Sequence, residues 1–132
     1  MKLKLLSLLL VMAMLSGCSV DSTPSSCYNQ LAMTTTQVTG PATVVVNTQA
    51  TFNVSFYVAN ACGEFNNFQQ TPDFPKSVVA FVDYDGCNCE QIGWYDTQPF
   101  TFTPTTVGTY EFRFLTDNPD TPIVKTLVVT AE

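Results

Sequence analysis

Residues 51–58 read TFNVSFYV, and they alternate apolar and polar side chains more clearly than the rest of the chain. The apolar members fall two residues apart, at Phe52, Val54, Phe56 and Val58. Asn53 and Ser55 stand between them. Because successive side chains of a β-strand point to opposite faces, this period predicts a strand with one face on a core and the other in water.

The chain around this stretch has the same character from Cys27 onward, since Thr and Val are frequent and short turn sequences interrupt them. No stretch after Cys18 repeats apolar residues at helical spacing over three turns. We predict a first strand within residues 28–46, kinked at Gly40-Pro41, and later strands at 77–84, 89–96 and 123–130. Seven to nine short strands with turns at steady spacing favour an all-β sandwich over a barrel.

Residues 100–115 (FTFTPTTVGTYEFRFL) form the second strong pattern. Aromatic residues alternate with polar ones on both sides of the segment 104–108, which contains Pro104 and Gly108. Alternation on either side of a turn sequence predicts two strands, and we expect them to form a hairpin.

The segment Gly108-Thr109-Tyr110 resembles the E–F corner of immunoglobulin-like domains, in which a tyrosine hydroxyl bonds back to the corner backbone. Phe112 stands where that family usually has a core cysteine, and the family's tryptophan and inter-sheet cysteine pair are missing. The chain is similar to the disulfide-poor bacterial immunoglobulin-like domains over most of residues 28–130. The resemblance implies an immunoglobulin-like antiparallel β-sandwich with Tyr110 largely buried and bonded to the backbone of 104–108.

The segment Leu15-Ser16-Gly17-Cys18 resembles a lipobox, the processing site of bacterial lipoproteins. Lys2 and Lys4 precede it, followed by an apolar run over residues 5–15 that is too short to span a membrane. The resemblance implies a signal peptide at 1–17, an acylated anchor and flexible tether at 18–26, and the sandwich at 27–132. The alternative is an ordinary signal peptide that leaves Cys18 as a free thiol. Ser19 after the anchor cysteine implies sorting to the outer membrane.

The composition excludes several classes of function. Without residues 1–17 the chain keeps three basic and eleven acidic side chains, a net charge of −8, which repels nucleic acid and anionic lipid headgroups. Attachment to a membrane would therefore depend on the acyl chains at Cys18. The chain contains no histidine, which removes the commonest general base and metal ligand. We expect a protein that is not an enzyme and binds no cofactor.

Once Cys18 is set aside, four cysteines remain, at Cys27, Cys62, Cys87 and Cys89. An exported protein with an even number of cysteines is expected to form disulfides. Cys87 and Cys89 are two residues apart and would project from the same face of a strand, so each should pair with Cys27 or Cys62. Antiparallel pairing of the first two strands would bring Cys27 and Cys62 to one pole. A zinc site and a redox catalyst are the alternatives, but the spacing and the missing basic neighbours favour disulfides.

Two further groups of residues are candidates for a site. An oxygen-rich cluster could bind calcium or could simply be a solvated turn, and its members are Asp83, Asp85, Asn88 and Glu90. Five aromatic residues in polar or proline-rich surroundings could form a binding patch for protein or sugar, or could cap the core, and they are Phe65, Phe68, Phe74, Trp94 and Tyr95.

The sequence therefore leads to three functional hypotheses for an envelope-anchored lipoprotein. The first is a non-catalytic binding or structural module for adhesion or assembly at the cell surface or in the periplasm. The second is an accessory carbohydrate-binding protein that uses the exposed aromatic residues. The third, the least favoured, is a hydrolase with a pair of acids.

Overall fold

The structure is a computed structural model that describes residues 27–132. The proposed signal peptide, Cys18 and the tether lie outside these residues. Nine β-strands follow one another in the described part: β1 (Tyr28–Met33), β2 (Thr35–Thr39), β3 (Thr43–Val45), β4 (Ala50–Val58), β5 (Gly63–Gln70), β6 (Lys76–Asp85), β7 (Trp94–Phe102), β8 (Gly108–Phe114) and β9 (Ile123–Thr130).

The strands form two sheets, which confirms the prediction of an all-β sandwich. The large sheet has six strands in the order β1-β6-β8-β9-β3, with β5 also paired to β6. The small sheet has three strands in the order β2-β4-β7. The described residues contain no helix.

The core lies between the sheets, and β4 contributes to it as its alternation predicts. Phe52, Val54 and Phe56 are fully buried. The large sheet supplies the opposing layer, whose fully buried members are Val78, Val82, Phe112, Phe114 and Leu127. The Phe52 and Phe112 rings meet across the two sheets with their centroids 5.3 Å apart. Each such side chain contributes about 1.5–3 kcal/mol through the apolar surface that it removes from water.

The first predicted strand is divided between the two sheets. β1 pairs with β6 in the large sheet, whereas β2 pairs with β4 in the small sheet. The change occurs at Thr34, and the backbone N–H of Thr35 donates to the carbonyl of Leu115 at 2.6 Å. The predicted kink at Gly40-Pro41 lies between β2 and β3, after which β3 pairs in parallel with β9. The residues of one predicted strand therefore form edge strands in both sheets.

The predicted hairpin at 100–115 is wrong. β7 pairs with β4 in the small sheet, and β8 pairs with β6 and β9 in the large sheet. The segment 103–107 is thus a corner that crosses between the sheets. A hairpin would set its aromatic rings side by side in one sheet, whereas the corner lays them against each other through the core. The Phe102 and Phe112 ring centroids are 5.2 Å apart and the Phe100 and Phe114 centroids 5.9 Å.

Tyr110 occupies this corner with the bond that the sequence predicts. Its hydroxyl donates to the carbonyl oxygen of Thr106 at 2.9 Å and lies 2.6 Å from the Thr106 Oγ1. The ring packs against the core but is half-buried, so the expectation of a largely buried side chain is corrected. The hydroxyl sits at the end of the sandwich, where water reaches it.

The large sheet is mixed rather than wholly antiparallel. The chain leaves β4, forms β5 at the outer side and returns along β6, which then lies between β5 and β8. β6 consequently runs parallel to β8, over the pairs from Lys76↔Phe112 to Val78↔Phe114. In immunoglobulin domains both sheets are antiparallel, so the likeness at the corner does not extend to the order of these two strands.

The predicted strand at 89–96 begins later than expected. Residues 89–93 have no regular structure, and β7 starts at Trp94. Cys89 is held in a disulfide and Gly93 lies against β4, so the chain before Trp94 follows these contacts instead of a sheet ladder.

Candidate functional site

The outer side of the small sheet carries no charged side chain. The outward positions of β2, β4 and β7, here called the small-sheet face, are Thr36, Gln37, Thr39, Thr51, Asn53, Ser55, Tyr57, Tyr95, Thr97, Pro99 and Thr101. The outer side of the large sheet, by contrast, carries Glu64, Asp83, Asp85, Glu111 and Arg113. Because the outward charged side chains lie on the large sheet and not on the small one, the two outer sides of the sandwich differ in binding chemistry.

Two tyrosines form the aromatic end of the small-sheet face. Tyr57 and Tyr95 are direct partners in the β4–β7 register, and their ring centroids are 5.4 Å apart at an interplanar angle of 63°. Tyr57 is 46% exposed and Tyr95 is 69% exposed. Edge-to-face packing of two rings is favourable, and here it leaves a large part of both rings in contact with water.

Gly93 determines where the Tyr57 ring can lie. A Cβ atom at Gly93 would overlap the Tyr57 phenol and would come within 2.8 Å of the Val58 carbonyl oxygen. A glycine next to a strand often marks such a close approach of another group. The missing side chain therefore allows the Tyr57 ring to lie down over the start of β7.

Hydroxyl groups form the floor of the same face. A shallow open depression of about 700 Å³ is lined by Thr36, Gln37, Ser55, Tyr95 and Thr97. The Ser55 Oγ and the Thr97 Oγ1 are 2.8 Å apart, and the Thr36 hydroxyl donates to the Ser55 carbonyl at 3.1 Å. A hydroxyl has one donor and two acceptor positions, so these groups keep hydrogen-bonding capacity for a ligand.

Two of the five aromatic candidates pack against the core, which was the second of the two alternatives given for them. Phe65 packs on Phe56 with centroids 5.8 Å apart, and Phe68 packs on Phe100 at 5.6 Å. Both are half-buried side chains of β5 that close the open side of the sandwich. The spacing of polar residues around them suggested exposure, but the bulge in β5 near Asn66 turns both rings inward.

Phe74 and Trp94 lie at opposite ends of the core. Phe74 is 40% exposed but packs edge-on against Tyr110 at 4.9 Å, and the Lys76 Nζ lies 5.0 Å from its centroid. Trp94 is 39% exposed and stands opposite Val58, on the inward side of β7. Of the predicted patch, only Tyr95 lies on the small-sheet face.

Sequence reasoning missed Tyr57, although a signal was present. Tyr57 is the one aromatic residue on the polar side of residues 51–58, where Asn53 and Ser55 also lie. An exposed aromatic side chain among hydroxyls and amides is the unusual feature of that strand. Its partner Tyr95 was recognised, but the pairing depends on the β4–β7 register.

The acidic candidates do not assemble into a metal site. The described residues include no group of three or more His, Cys, Asp or Glu side chains that could hold an ion. Gln30 Nε2 donates to Asp83 Oδ1 at 2.7 Å, and the Asn66 amide donates to Asp83 Oδ2. Bonds from Asn66 and then Gln30 lower the pKa of Asp83, and the bond to Asp83 raises the pKa of Tyr28.

Cys87 and Cys89 each pair with Cys27 or Cys62, as the sequence predicts. The structure adds the connectivity that the sequence left open, Cys27 with Cys87 and Cys62 with Cys89, with Cα atoms 5.0 and 5.5 Å apart. The predicted reason is partly wrong, because β1 pairs with β6 and not with β4. The starts of β1 and β5 both lie beside the end of β6, so both cysteines reach the segment that follows it. Gly86 allows the turn, because its φ is 146° and a Cβ atom at this position would lie only 2.7 Å from the Cys62 Sγ.

No protein-family model, curated protein or solved structure matches this chain. Within residues 27–132 there is no helix long and apolar enough to cross a membrane. The class of protein defined by the fold is therefore a disulfide-bonded all-β sandwich, and its function has to be argued from the site.

Proposed function

We propose that this chain is a lipoprotein of the bacterial outer membrane, anchored by acyl chains on Cys18, whose sandwich is a non-catalytic binding module. The observation that carries the binding role is the small-sheet face, an open and uncharged surface with two exposed tyrosines. Binding sites built on strands are held more rigidly than sites on loops, which lowers the entropic cost of binding.

The chemistry of the acidic residues supports a non-catalytic role. A general acid in glycoside hydrolysis needs a raised pKa, so that it keeps its proton near neutral pH. Hydrogen bonds from Asn66 and Gln30 lower the pKa of Asp83, which is the opposite effect. Asp83 is thus unsuited to the role of the general acid in such a pair.

The anchor is tested by the Cys18→Ala substitution. Acylation requires the cysteine sulfur, so the variant should remain unprocessed or appear in soluble fractions, whereas the wild type should partition into detergent. The measurement is fractionation of cells with metabolic labelling by a fatty acid. A Cys18→Ala protein that still carries label and partitions as the wild type does would exclude the lipobox interpretation.

The binding role is tested by photo-cross-linking in living cells. The probe p-benzoylphenylalanine reacts with C–H bonds of protein or sugar, and it is introduced at Thr97 on the small-sheet face. The matched control is Thr126, an exposed outward position of β9 on the large sheet. We expect an adduct from position 97 and none from position 126. Equal labelling at both positions, or none at either, would contradict a binding role for this face.

A further inference from the structure

We propose that the small-sheet face binds a neutral glycan chain, which stacks on Tyr57 and Tyr95 and forms hydrogen bonds along the hydroxyl floor. This inference rests on the proposed binding function and adds the class of ligand. Four features of the face support a neutral glycan: its charge, its aromatic pair, its fixed geometry and its shape.

The charge of the face excludes strongly ionic ligands. None of its outward side chains is ionised, so an anionic polymer finds no basic partner there. The carboxylate of Asp96 belongs to the inward side of β7, where it accepts hydrogen bonds from the Thr97 N–H and the Gln98 amide. The eleven acidic residues of the chain also repel polyanions before contact. Serine and threonine hydroxyls with the Asn53 and Gln37 amides offer donors and acceptors that match the hydroxyl groups of a neutral sugar.

The tyrosine pair supplies the apolar part of such a site. One side of a pyranose ring exposes mainly C–H bonds, which are attracted to the negative face of an aromatic ring. Tyr95 is the most exposed large hydrophobic side chain of the described residues, at 69%, and Tyr57 lies edge-on beside it. A sugar ring can therefore lie on Tyr95 while its hydroxyls reach Ser55 and Thr97.

The groups are held in place before a ligand arrives. Gly93 leaves room for the Tyr57 ring, and the Ser55–Thr97 hydroxyl contact spans β4 and β7. The β4–β7 ladder is continuous from Ala50↔Phe102 to Val58↔Trp94. A rigid array of this kind loses little conformational entropy on binding.

The shape of the face favours a chain over a single sugar. From Thr51 to Tyr57 the strand extends about 20 Å, the length of several sugar rings, at about 3.3 Å per residue. The depression is shallow and open, so one ring would bury little surface, whereas a chain makes repeated contacts. A protein partner fits less well, because the buried core of a protein interface is apolar, whereas polar side chains line most of this depression.

The experiment uses the full acylated protein in detergent and a panel of immobilised polysaccharides. The neutral members are β-glucan, xylan and mannan, and the anionic members are alginate and polygalacturonate. We expect retention on at least one neutral polysaccharide. Because no charge takes part, the retention should change little between about 0.05 and 0.5 M salt.

Variants locate the site. Tyr95→Ala should weaken binding about tenfold or more, as expected for an anchor residue. Tyr95→Phe keeps the ring and should retain most of the affinity, and Thr97→Val should weaken binding through its lost hydroxyl alone. Tyr28→Ala is the matched control, since Tyr28 is a 53% exposed tyrosine on the large sheet. Thermal melts confirm that each variant is folded.

Each outcome decides the inference. Binding only to anionic polysaccharides, or equal binding by Tyr95→Ala and Tyr28→Ala, would overturn it. If no polysaccharide is retained but position 97 still cross-links to a protein or to a second copy of this chain, the glycan inference fails while the binding function survives. If neither assay gives a signal, both fail.

Discussion

Phe112 and Tyr110 lie two residues apart on β8, and the structure gives them different contributions to stability. Phe112 is fully buried, and its ring centroid lies within 6 Å of those of Phe52, Phe74, Phe100 and Phe102. Phe112→Ala should therefore lower the free energy of unfolding by about 3–5 kcal/mol. Denaturant unfolding measures the change, and a loss under about 1 kcal/mol would show that β8 does not hold the core.

Tyr110→Phe is the paired change at the corner, and its expected effect is smaller. It removes the bond to the Thr106 carbonyl and the contact with the Thr106 Oγ1, both of which are exposed, so these two groups can bond to solvent instead. We expect a loss of about 0.5–1.5 kcal/mol, the net value of one ordinary hydrogen bond. If Tyr110→Phe lowers the free energy of unfolding as much as Phe112→Ala does, the hydroxyl contributes more to stability than an exposed hydrogen bond can explain.

Thr35 is a residue whose substitution should raise the stability of the fold. Its side-chain Oγ1 is buried and has no hydrogen-bond partner among the described residues, and the residue is 4% exposed. Thr35→Val replaces the hydroxyl by a methyl group of similar size and relieves the desolvation cost, so stability should rise by about 1 kcal/mol. Thr36→Val is the control, because the Thr36 hydroxyl is exposed and bonded to Ser55. A loss of stability in Thr35→Val would point to a bond that the hydroxyl makes through water.

At the scale of the elements, Asp83 connects three strands of the large sheet. It lies on β6, and amides from β1 and β5 reach its two oxygens. A lowered pKa in the folded state means that the carboxylate adds stability at pH values above about 4 and loses that contribution as pH falls through the lowered pKa. Titration of Asp83 by carbon-detected NMR should thus give a pKa below that of an unperturbed aspartate.

Variants of the two amides test the cause of this shift. Asn66→Ala should raise the pKa of Asp83 more than Gln30→Ala does, because the bond from Asn66 is the larger cause. Asn67→Ala is the control, because Asn67 stands opposite Phe81 in the β5–β6 register and not opposite Asp83. If all three variants titrate alike, the amide bonds do not set the pKa.

At the scale of the whole molecule, two disulfides join the starts of β1 and β5 to the segment after β6. The bonded cysteines are 60 and 27 residues apart in sequence. Each disulfide should stabilise the fold by about 2–4 kcal/mol. Cys87 and Cys89 are divided by one residue, so proteolysis leaves them in one peptide. Paired variants give a clearer result than peptide mapping.

The double variant Cys62→Ala/Cys89→Ala should retain the Cys27–Cys87 bridge and show no free thiol among these positions. The mismatched variant Cys27→Ala/Cys89→Ala should leave two free thiols. Thiol titration of the unfolded, unreduced proteins distinguishes them. A bridge between Cys62 and Cys87 in the mismatched protein, formed without loss of stability, would contradict the observed pairing.

The alternation of apolar and polar residues was enough to show which side of β4 and of β8 faces the core, whereas the bulge in β5 hid its inward side. The alternation in residues 51–58 placed Phe52, Val54 and Phe56 inside, and the pattern after Gly108 placed Phe112 inside. The two-residue spacing of Cys87 and Cys89 predicted a distant partner for each, although the two cysteines lie in the irregular segment after β6 and not on a strand as expected. The side-chain direction in a strand is a local feature, because it alternates from one residue to the next.

The sequence pattern does not show which strands are neighbours. Alternation does not indicate the sheet to which a strand belongs, so β7 and β8 read as a hairpin although they lie in different sheets. The order of β5 and β6, and the passage of the chain at Thr34 from one sheet to the other, follow from contacts between residues far apart in sequence. The small-sheet face arises in the same way, since Tyr57 and Tyr95 become one surface only when β4 and β7 pair. Burial in a sandwich depends on both sheets at once, and that is a property of the assembled strands rather than of any one segment.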